Sequence, residues 1–565
     1  MKKKLTFYYM LLSLFSLIVF AGSSVHAQPL SDSTRSKIDQ LFAKWNDTTA
    51  PGCAAGIVRC DELVYSKGFG LADLENKTPN TPATIFYMCS VSKQFAGYAI
   101  AMLVNQGKIK LDEDIHAYLP WMSDLRQKIT VKNLVHHTSG IRDDIGLAQF
   151  YGLGEDGMLT EELAVQMLKR QRTLNFDPGK KFSYSNSNYV LLAEIVKAVT
   201  GQSFKSYSDS AIFRPLGMTS SAFADDHSQL IAGRALSYEK DSKVFRNAVQ
   251  NVYTLGDGGL FTNVNDMAKW VANFYQTKAG TFKDIELMTT PGKLNDGSSI
   301  PYAMGINVNT DRGYKRLTHN GGLAGYRTII AIYPELKTGF YIFGNAGDGD
   351  VYNKINQIAE LLIPDRSEKR QAQAPVTQND PVFAIKDSTE LSRWDGNYIA
   401  ANGYKVSVNF KSGKLYVNGN AELEAEGDRS FHMKARSSVK YQFSIDPKTK
   451  TLLAKLISPV LAKPIEMERV REIQLSTTQL NEYAGRYFSE ELGAFFNISV
   501  KNNELSICDK YHEPVRMNLF GADHLFTDYD FLNHLRVRRN KGRITGFELN
   551  TGDTAGLIFL KQIDK

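Results

Sequence analysis

Apolar positions follow a helical and then a strand rhythm in the first part of this chain, lose it once, and return as strands. Ile38, Leu41, Phe42 and Trp45 keep the three-and-four spacing of one helix face, which predicts a helix from Asp32 to Trp45. Ala54 to Arg59 and Leu63 to Gly68 then predict a β-hairpin turning near Asp61-Glu62. Ser90 to Gln106 is apolar almost all round, as in a helix enclosed by a domain core, and Gly107 can close it as a left-handed cap. Glu161 to Arg170, Asn188 to Val199 (ended by Gly201) and Val264 to Phe274 read as further helices. Ala303 to Val308, Arg327 to Tyr333 and Gly339 to Phe343 predict strands, and Tyr352 to Leu362 a closing helix. The sheet therefore draws on both ends of the region, with helices between. The fold class expected is α/β, an antiparallel sheet flanked by helices with an inserted helical subdomain, since its strands follow one another without crossover helices.

From Pro364 to about Asp387 Gln, Ala, Pro, Asn, Lys and Arg dominate and the apolar period vanishes, as in a linker. Beyond it the chain is strand-like and echoes itself. Leu391-Ser-Arg-Trp394-Asp-Gly396-Asn-Tyr398 resembles Leu480-Asn-Glu-Tyr483-Ala-Gly485-Arg-Tyr487. Each octet precedes an alternating strand (Tyr404 to Phe410; Ala494 to Val500) and a turn (Lys411 to Gly413; Lys501 to Asn503). Two small all-β, barrel-like units are expected. The division is a leader over 1–27, a main domain over 28–363, a linker over 364–387, and β-units over 388–472 and 473–565.

The leader changes what the charge means. Lys2 to Lys4 form a positive n-region, Leu5 to Phe20 a short apolar run, and Val25-His26-Ala27 a small-residue cleavage site, so cleavage is expected after Ala27. The run is short for a membrane span. Three of the seven net positive charges leave with it, and the mature chain is expected near +4, exported to a periplasm or beyond the cell. So small and scattered an excess, with no aromatic-basic patch, argues against nucleic acid. Cys53, Cys60, Cys89 and Cys508 are too few for a disulfide framework. Cys53 and Cys60, read on one strand seven positions apart, point to opposite faces, and all four are expected free.

Candidate chemistry begins at Ser90-Val-Ser-Lys93. Residues three apart share a helix face, so Lys93 can reach Ser90, a hydroxyl that needs a neighbour to take its proton. The helix N-terminus favours the negative charge that would develop there. Tyr184-Ser-Asn186 follows Pro178-Gly179 on a loop before a helix. A phenol beside an ammonium can act as a base, and Asn186 can bond a substrate amide. His319-Asn320-Gly321-Gly322 leads into an apolar strand whose glycines allow close backbone approach, so that a substrate can add as a strand. Each element alone equally fits a cap, a polar turn and a hairpin. His136-His137 lacks further ligands at zinc-like spacing, Gly256-Asp-Gly-Gly259 lacks the Lys-Ser/Thr of a phosphate loop, and no metal or cofactor is expected.

In their order, Ser-x-x-Lys, Tyr-x-Asn and His-x-Gly resemble the three active-site elements of penicillin-recognising serine hydrolases. The Tyr-x-Asn form is similar to the branch holding class C β-lactamases, D-Ala-D-Ala carboxypeptidases, D-aminopeptidases and esterases. Leu134-Val-His-His-Thr-Ser-Gly-Ile141, Phe182 to Val190 and Gly258-Gly-Leu-Phe-Thr262 with Asp266 resemble the same family, over about residues 35 to 362. The resemblance implies a β-lactamase/transpeptidase-like fold and an acyl-enzyme on Ser90. Lys93 and Tyr184 would share proton transfer, and Asn186, His319, Asn320 and Gly321 would meet substrate. The backbone N–H groups of Ser90 and Gly322 would form the oxyanion hole. His319 departs from the lysine of class C enzymes. Histidine is mostly neutral near pH 7, which weakens an anchor for a β-lactam carboxylate without excluding a carboxypeptidase. The substrate expected is an ester or a small amide or peptide, with those containing a D-amino acid included. A D,D-carboxypeptidase or weak β-lactamase, and a non-catalytic cell-wall-binding protein, stand as alternatives. Oligomeric state is not legible.

Overall fold

A computed structural model describes residues 29–366 and 388–562, apart from Asp124 and residues 154–156, 401–402, 459–463, 522, 528–531 and 552–553. The leader, and all of the expected linker beyond Arg366, lie outside the described residues.

The elements that place the site are, in chain order, α1 (Asp32–Leu41), β1 (Cys53–Arg59), β2 (Glu62–Phe69), α2 (Lys93–Asn105), α3 (Asp144–Tyr151), α4 (Glu161–Arg170), α5 (Asn186–Thr200), α6 (Val264–Asn273), β3 (Asn307–Asp311), β4 (Tyr314–Leu323), β5 (Tyr326–Tyr333), β6 (Thr338–Gly344) and α7 (Val351–Leu362). The six strands form one antiparallel sheet in the order β3-β4-β5-β6-β1-β2. Two-residue alternation splits it between two cores. Ala55, Ile57, Phe340 and Ile342 pack with Ile38 of α1, Phe42 at its C-terminal cap, and Ile355 and Ile358 of α7. Ala54, Val58, Tyr341 and Phe343 face the larger core around α2 and α6. There Phe95 stacks on Trp270 at 4.3 Å, and Tyr98 meets the same indole edge-on at 5.3 Å. Cores on both faces account for the near-continuous apolar runs of β5 and β6.

Three expectations need correction. The segment Ala303 to Val308 becomes a strand only from Asn307. Its first half is a turn seated on α2, where a Cβ on Gly97 would lie 2.2 Å from the Met304 carbonyl and one on Gly305 2.3 Å from that of Lys93. Its apolar residues serve helix packing, and Gly305 takes the positive φ the turn requires. Cys60 stands in the β1–β2 turn with φ of 55°, past the end of the strand. The Ser90 helix begins as a 3-10 turn over Cys89–Ser92 and becomes α-helical at Lys93. All four cysteines are free.

Two closed eight-stranded barrels follow, the first from Gly396–Ala400 to Ile465–Val470 and the second from Gly485–Ser489 to Thr554–Lys561. The repeated octets begin both alike. The Tyr398 hydroxyl donates to the Trp394 carbonyl at 3.0 Å and that of Tyr487 to the Tyr483 carbonyl at 2.6 Å. Closure leaves no bare sheet edge.

The second barrel is docked onto the helical subdomain. Leu147, Phe150, Ala164 and Met167 of α3 and α4 share one apolar cluster with Leu492, Leu549 and Leu557. Within this contact lies a buried ion pair, Arg142 Nη1 to Glu491 Oε2 at 3.2 Å. Arg142 also donates to the carbonyls of Ala555 and Thr173 and to the side chains of Gln171 and Thr173. Removing one member of a buried pair leaves the other charge uncompensated. Glu491→Ala is therefore expected to destabilise barrel docking by roughly 3–5 kcal/mol. Urea denaturation with limited proteolysis checks this, and unchanged midpoints and cleavage would refute it.

Candidate active site

Ser90 sits in the 3-10 turn that feeds α2, and the turn is held under strain. Cys89 just before it has φ of 49°, a left-handed conformation uncommon outside glycine. Thr328 Oγ1 donates to the Met88 carbonyl and the Met88 N–H to the Leu260 carbonyl, each at 2.8 Å. On a further side Gly321 of β4 presses close. A Cβ there would lie 2.6 Å from the Met88 oxygen and from Thr328 Oγ1, and 2.8 Å from Cys89 Cβ. Only glycine lets strand and turn come this near.

Lys93 is fully buried, and its Nζ has three acceptors. It donates to Ser90 Oγ at 3.2 Å, to Asn186 Oδ1 at 2.7 Å and to the Asp257 carbonyl at 2.8 Å. Three oxygen partners at these distances suit the three hydrogens of an ammonium. The Tyr184 ring centre lies 4.9 Å from this Nζ. Tyr184 is half-buried, stacked against the imidazole of His137 at 4.3 Å, and among the described residues its hydroxyl has no hydrogen-bond partner. The sequence-expected Ser90, Lys93, Tyr184 and Asn186 thus converge, with the phenol over the lysine.

His319 lies on β4 with both ring nitrogens occupied. Nδ1 faces the Asn320 carbonyl at 2.7 Å, so it carries the proton, and Nε2 accepts from the Tyr302 hydroxyl at 2.9 Å. Burial, helped by the nearby Lys93 cation, pushes its pKa down to about 3. Asn320 is exposed on the opposite face of the strand. Pairing of β3 with β4 stops at Thr318, so His319 to Leu323 has no β3 partner where the strand runs past the Ser90 turn. Gly322, opposite Arg327 in β5, lies on this stretch. The two backbone donors expected of an oxyanion hole therefore come from a turn and a strand that touch at Gly321.

The paired histidines diverge. His136 Nδ1 faces the Tyr302 carbonyl at 3.1 Å, and burial lowers its pKa to about 4. His137 Nδ1 accepts the Ser185 N–H at 3.2 Å, and burial pushes its pKa well below the ordinary value. Its carbonyl accepts the Ser183 N–H at 2.9 Å, so His137 grips the backbone on both sides of Tyr184. Among the described residues no group of His, Cys, Asp and Glu is arranged to hold a metal ion.

Sequence reasoning missed Asp143, Asp257 and Tyr302. Asp143 accepts both the backbone N–H and the side-chain amide of Asn186, at 2.6 and 2.9 Å. Asp257 supplies its carbonyl to Lys93, while burial raises the pKa of its carboxyl. Asp143 had a local signal, an acidic cap before the apolar Ile145, Leu147 and Ala148. Tyr302 had none.

Comparison with known proteins places these features. The chain is 31% identical over 325 residues to a D-aminopeptidase of Gluconobacter oxydans (57% of this chain, 61% of that protein). It is 32% identical over 279 residues to one of Brucella anthropi (49% and 52%). The chain thus spans about half to three-fifths of the curated relatives it matches. Among solved structures, an octameric penicillin-binding protein homologue from Pyrococcus abyssi superposes with a TM-score of 0.53 at 24% identity, over 77% of this chain and 99% of that one, a likeness of fold. The family model described as Beta-lactamase matches residues 38–363, from within α1 to just past α7 and across every site element above. More than half of the sequence is accounted for in that single match, and the chain belongs to the β-lactamase family.

Proposed function

We propose that this protein hydrolyses small amides or esters through an acyl-enzyme on Ser90, with a preference for substrates that present a D-amino acid by its free amine. Ser90 Oγ attacks the carbonyl carbon. Its proton goes to Tyr184, acting as a phenolate beside the Lys93 ammonium, and the phenol so formed passes it on to the departing amine or alcohol. With Lys93 as an ammonium whose three hydrogens meet Ser90, Asn186 and the Asp257 carbonyl, the Tyr184 oxygen, as phenolate, is the group that takes the proton. The backbone N–H groups of Ser90 and Gly322 receive the developing oxyanion. Water, deprotonated by the phenolate that the first step regenerates, then releases the acyl group.

The observation that carries the choice of substrate is His319. Its neutral ring, committed to Asn320 and Tyr302, offers neither charge nor a free donor to the carboxylate of a β-lactam or of a peptide C-terminus. This supports an amine-bearing substrate, in agreement with the D-aminopeptidase names of the relatives. The basic and apolar leader over residues 1–27 supports export, and with it a reaction outside the cytoplasm.

Purified mature protein is expected to cleave D-alanyl p-nitroanilide in preference to a chromogenic cephalosporin and to a peptide ending in D-Ala-D-Ala, with a p-nitrophenyl ester as a permissive control. Ser90→Ala should lower kcat/KM by about 10⁴-fold or more. Faster turnover of the cephalosporin or of the D-Ala-D-Ala peptide would overturn the substrate assignment. Failure of a fluorophosphonate to label Ser90 would overturn the mechanism in favour of a binding protein. N-terminal sequencing of exported protein is expected to begin at Gln28, and a start at Met1 would remove the case for a cleaved leader.

The buried neutral histidines also set a pH dependence. His319, His136 and His137 all have folded-state pKa values below the ordinary 6.5, so the unfolded chain takes up protons first. Their contribution to stability is complete above about pH 6.5 and is lost as pH falls towards 4. The urea midpoint at pH 5 should lie below that at pH 7.5, and equal midpoints would show that these rings are not buried neutral.

A further inference from the structure

Asp143 touches no atom expected to react, yet it stands at the head of a hydrogen-bond chain that ends on Ser90. Its Oδ1 accepts the Gly146 N–H at 3.1 Å, capping α3. Its Oδ2 accepts the backbone N–H of Asn186 at 2.6 Å and the Asn186 side-chain Nδ2 at 2.9 Å. One carboxylate therefore serves the first turns of two helices, α3 and α5, where backbone donors lack partners and negative charge is favoured. Ser185, at the N-cap of α5, gives no side-chain bond of its own.

The bond to Nδ2 has a chemical consequence. A primary amide has a donor end and an acceptor end, and a carboxylate accepts only. Asp143 thus fixes the Asn186 amide one way round, Nδ2 towards the carboxylate and Oδ1 towards Lys93. Turned over, Asn186 would aim its N–H groups at the lysine ammonium, donor against donor. With Oδ1 in place, and with the Asp257 carbonyl taking a second hydrogen, the third N–H of Lys93 is directed at Ser90 Oγ.

We propose that Asp143 is a positioning residue of the catalytic centre, acting through Asn186 to orient the Lys93 ammonium on Ser90. The proposal rests on the assignment of Ser90 as nucleophile. Serine at position 143 separates positioning from folding. It still caps α3, a near-neutral exchange among good N-cap residues, but its short side chain cannot hold Asn186 as well. Asparagine separates them another way. It matches the aspartate in shape but keeps a single acceptor oxygen, and with that oxygen on the Gly146 N–H its N–H₂ faces the two Asn186 donors, donor against donor.

Wild type, D143S, D143N, N186A and D143S/N186A would be compared for kcat, KM, thermal midpoint and rate of fluorophosphonate labelling at Ser90. Both single variants at 143 are expected to melt within several degrees of wild type. Their kcat and labelling rate should fall about 10- to 100-fold, the scale of a small misplacement of a catalytic group, with KM little changed. On the N186A background D143S should cost almost nothing more, because the residue through which it acts is gone. Wild-type kcat in D143S, or a full additive loss in the double variant, would overturn the proposal while leaving Ser90 in place. A wild-type protein that the fluorophosphonate does not label would overturn both.

Discussion

A buried primary ammonium needs an acceptor for each of its three hydrogens, because a charge removed from water without them costs several kcal/mol. Lys93 meets that demand from one neighbour and two distant parts of the chain: Ser90 one turn back, Asn186 at the head of α5, and the Asp257 carbonyl ahead of α6. The helical subdomain, the central helix and the loop after it must all be in register for the lysine to be tolerated inside. The site is in this sense a requirement of the core as much as a feature added to it. The packing of Phe95, Tyr98 and Trp270 one turn further along α2 fixes the helix that carries the charge.

Around that cation the other ionisable groups are arranged so as not to compete with it. Burial lowers the pKa of His137 and His319, and the lysine reinforces the effect, so both rings remain uncharged. The carboxyl of Asp144, enclosed beside Asp143, is pushed well above the ordinary carboxylate range, with burial as the leading cause. Neutral imidazoles then act as hydrogen-bonding struts. His137 holds the loop of Tyr184, and His319 is tied to Tyr302, whose carbonyl meets His136 in turn.

Much of this was legible because the chemistry is written in short local units. Ser-x-x-Lys works across one helical turn, Tyr-x-Asn spans a loop and the first residue of a helix, and His-x-Gly uses strand alternation. Helix limits were read closely where caps were explicit, as at Glu161–Arg170, and both octets open barrels as their echo implied. What escaped were residues whose role depends on distant partners. Asp143 is 43 positions from Asn186, and the Asp257 carbonyl 164 from Lys93. Neither separation leaves a periodic trace. The segment from Ala303 to Ile306 misled for a related reason, since its apolar residues answer to a helix two hundred positions earlier and not to a neighbouring strand.

The grip on Arg142 carries a consequence for the domain that holds it. Its guanidinium bonds the Ala555 carbonyl, 413 positions downstream, and pairs with Glu491, 349 positions downstream. Residues 38–363 by themselves give this cation only part of its acceptor set, from Gln171 and Thr173, and the paired carboxylate comes from the second barrel. The subdomain that shapes the site therefore has a face that is completed by the second barrel. The finished geometry of the upstream domain thus includes a polar surface whose remaining partners are supplied from more than three hundred positions further along the same polypeptide.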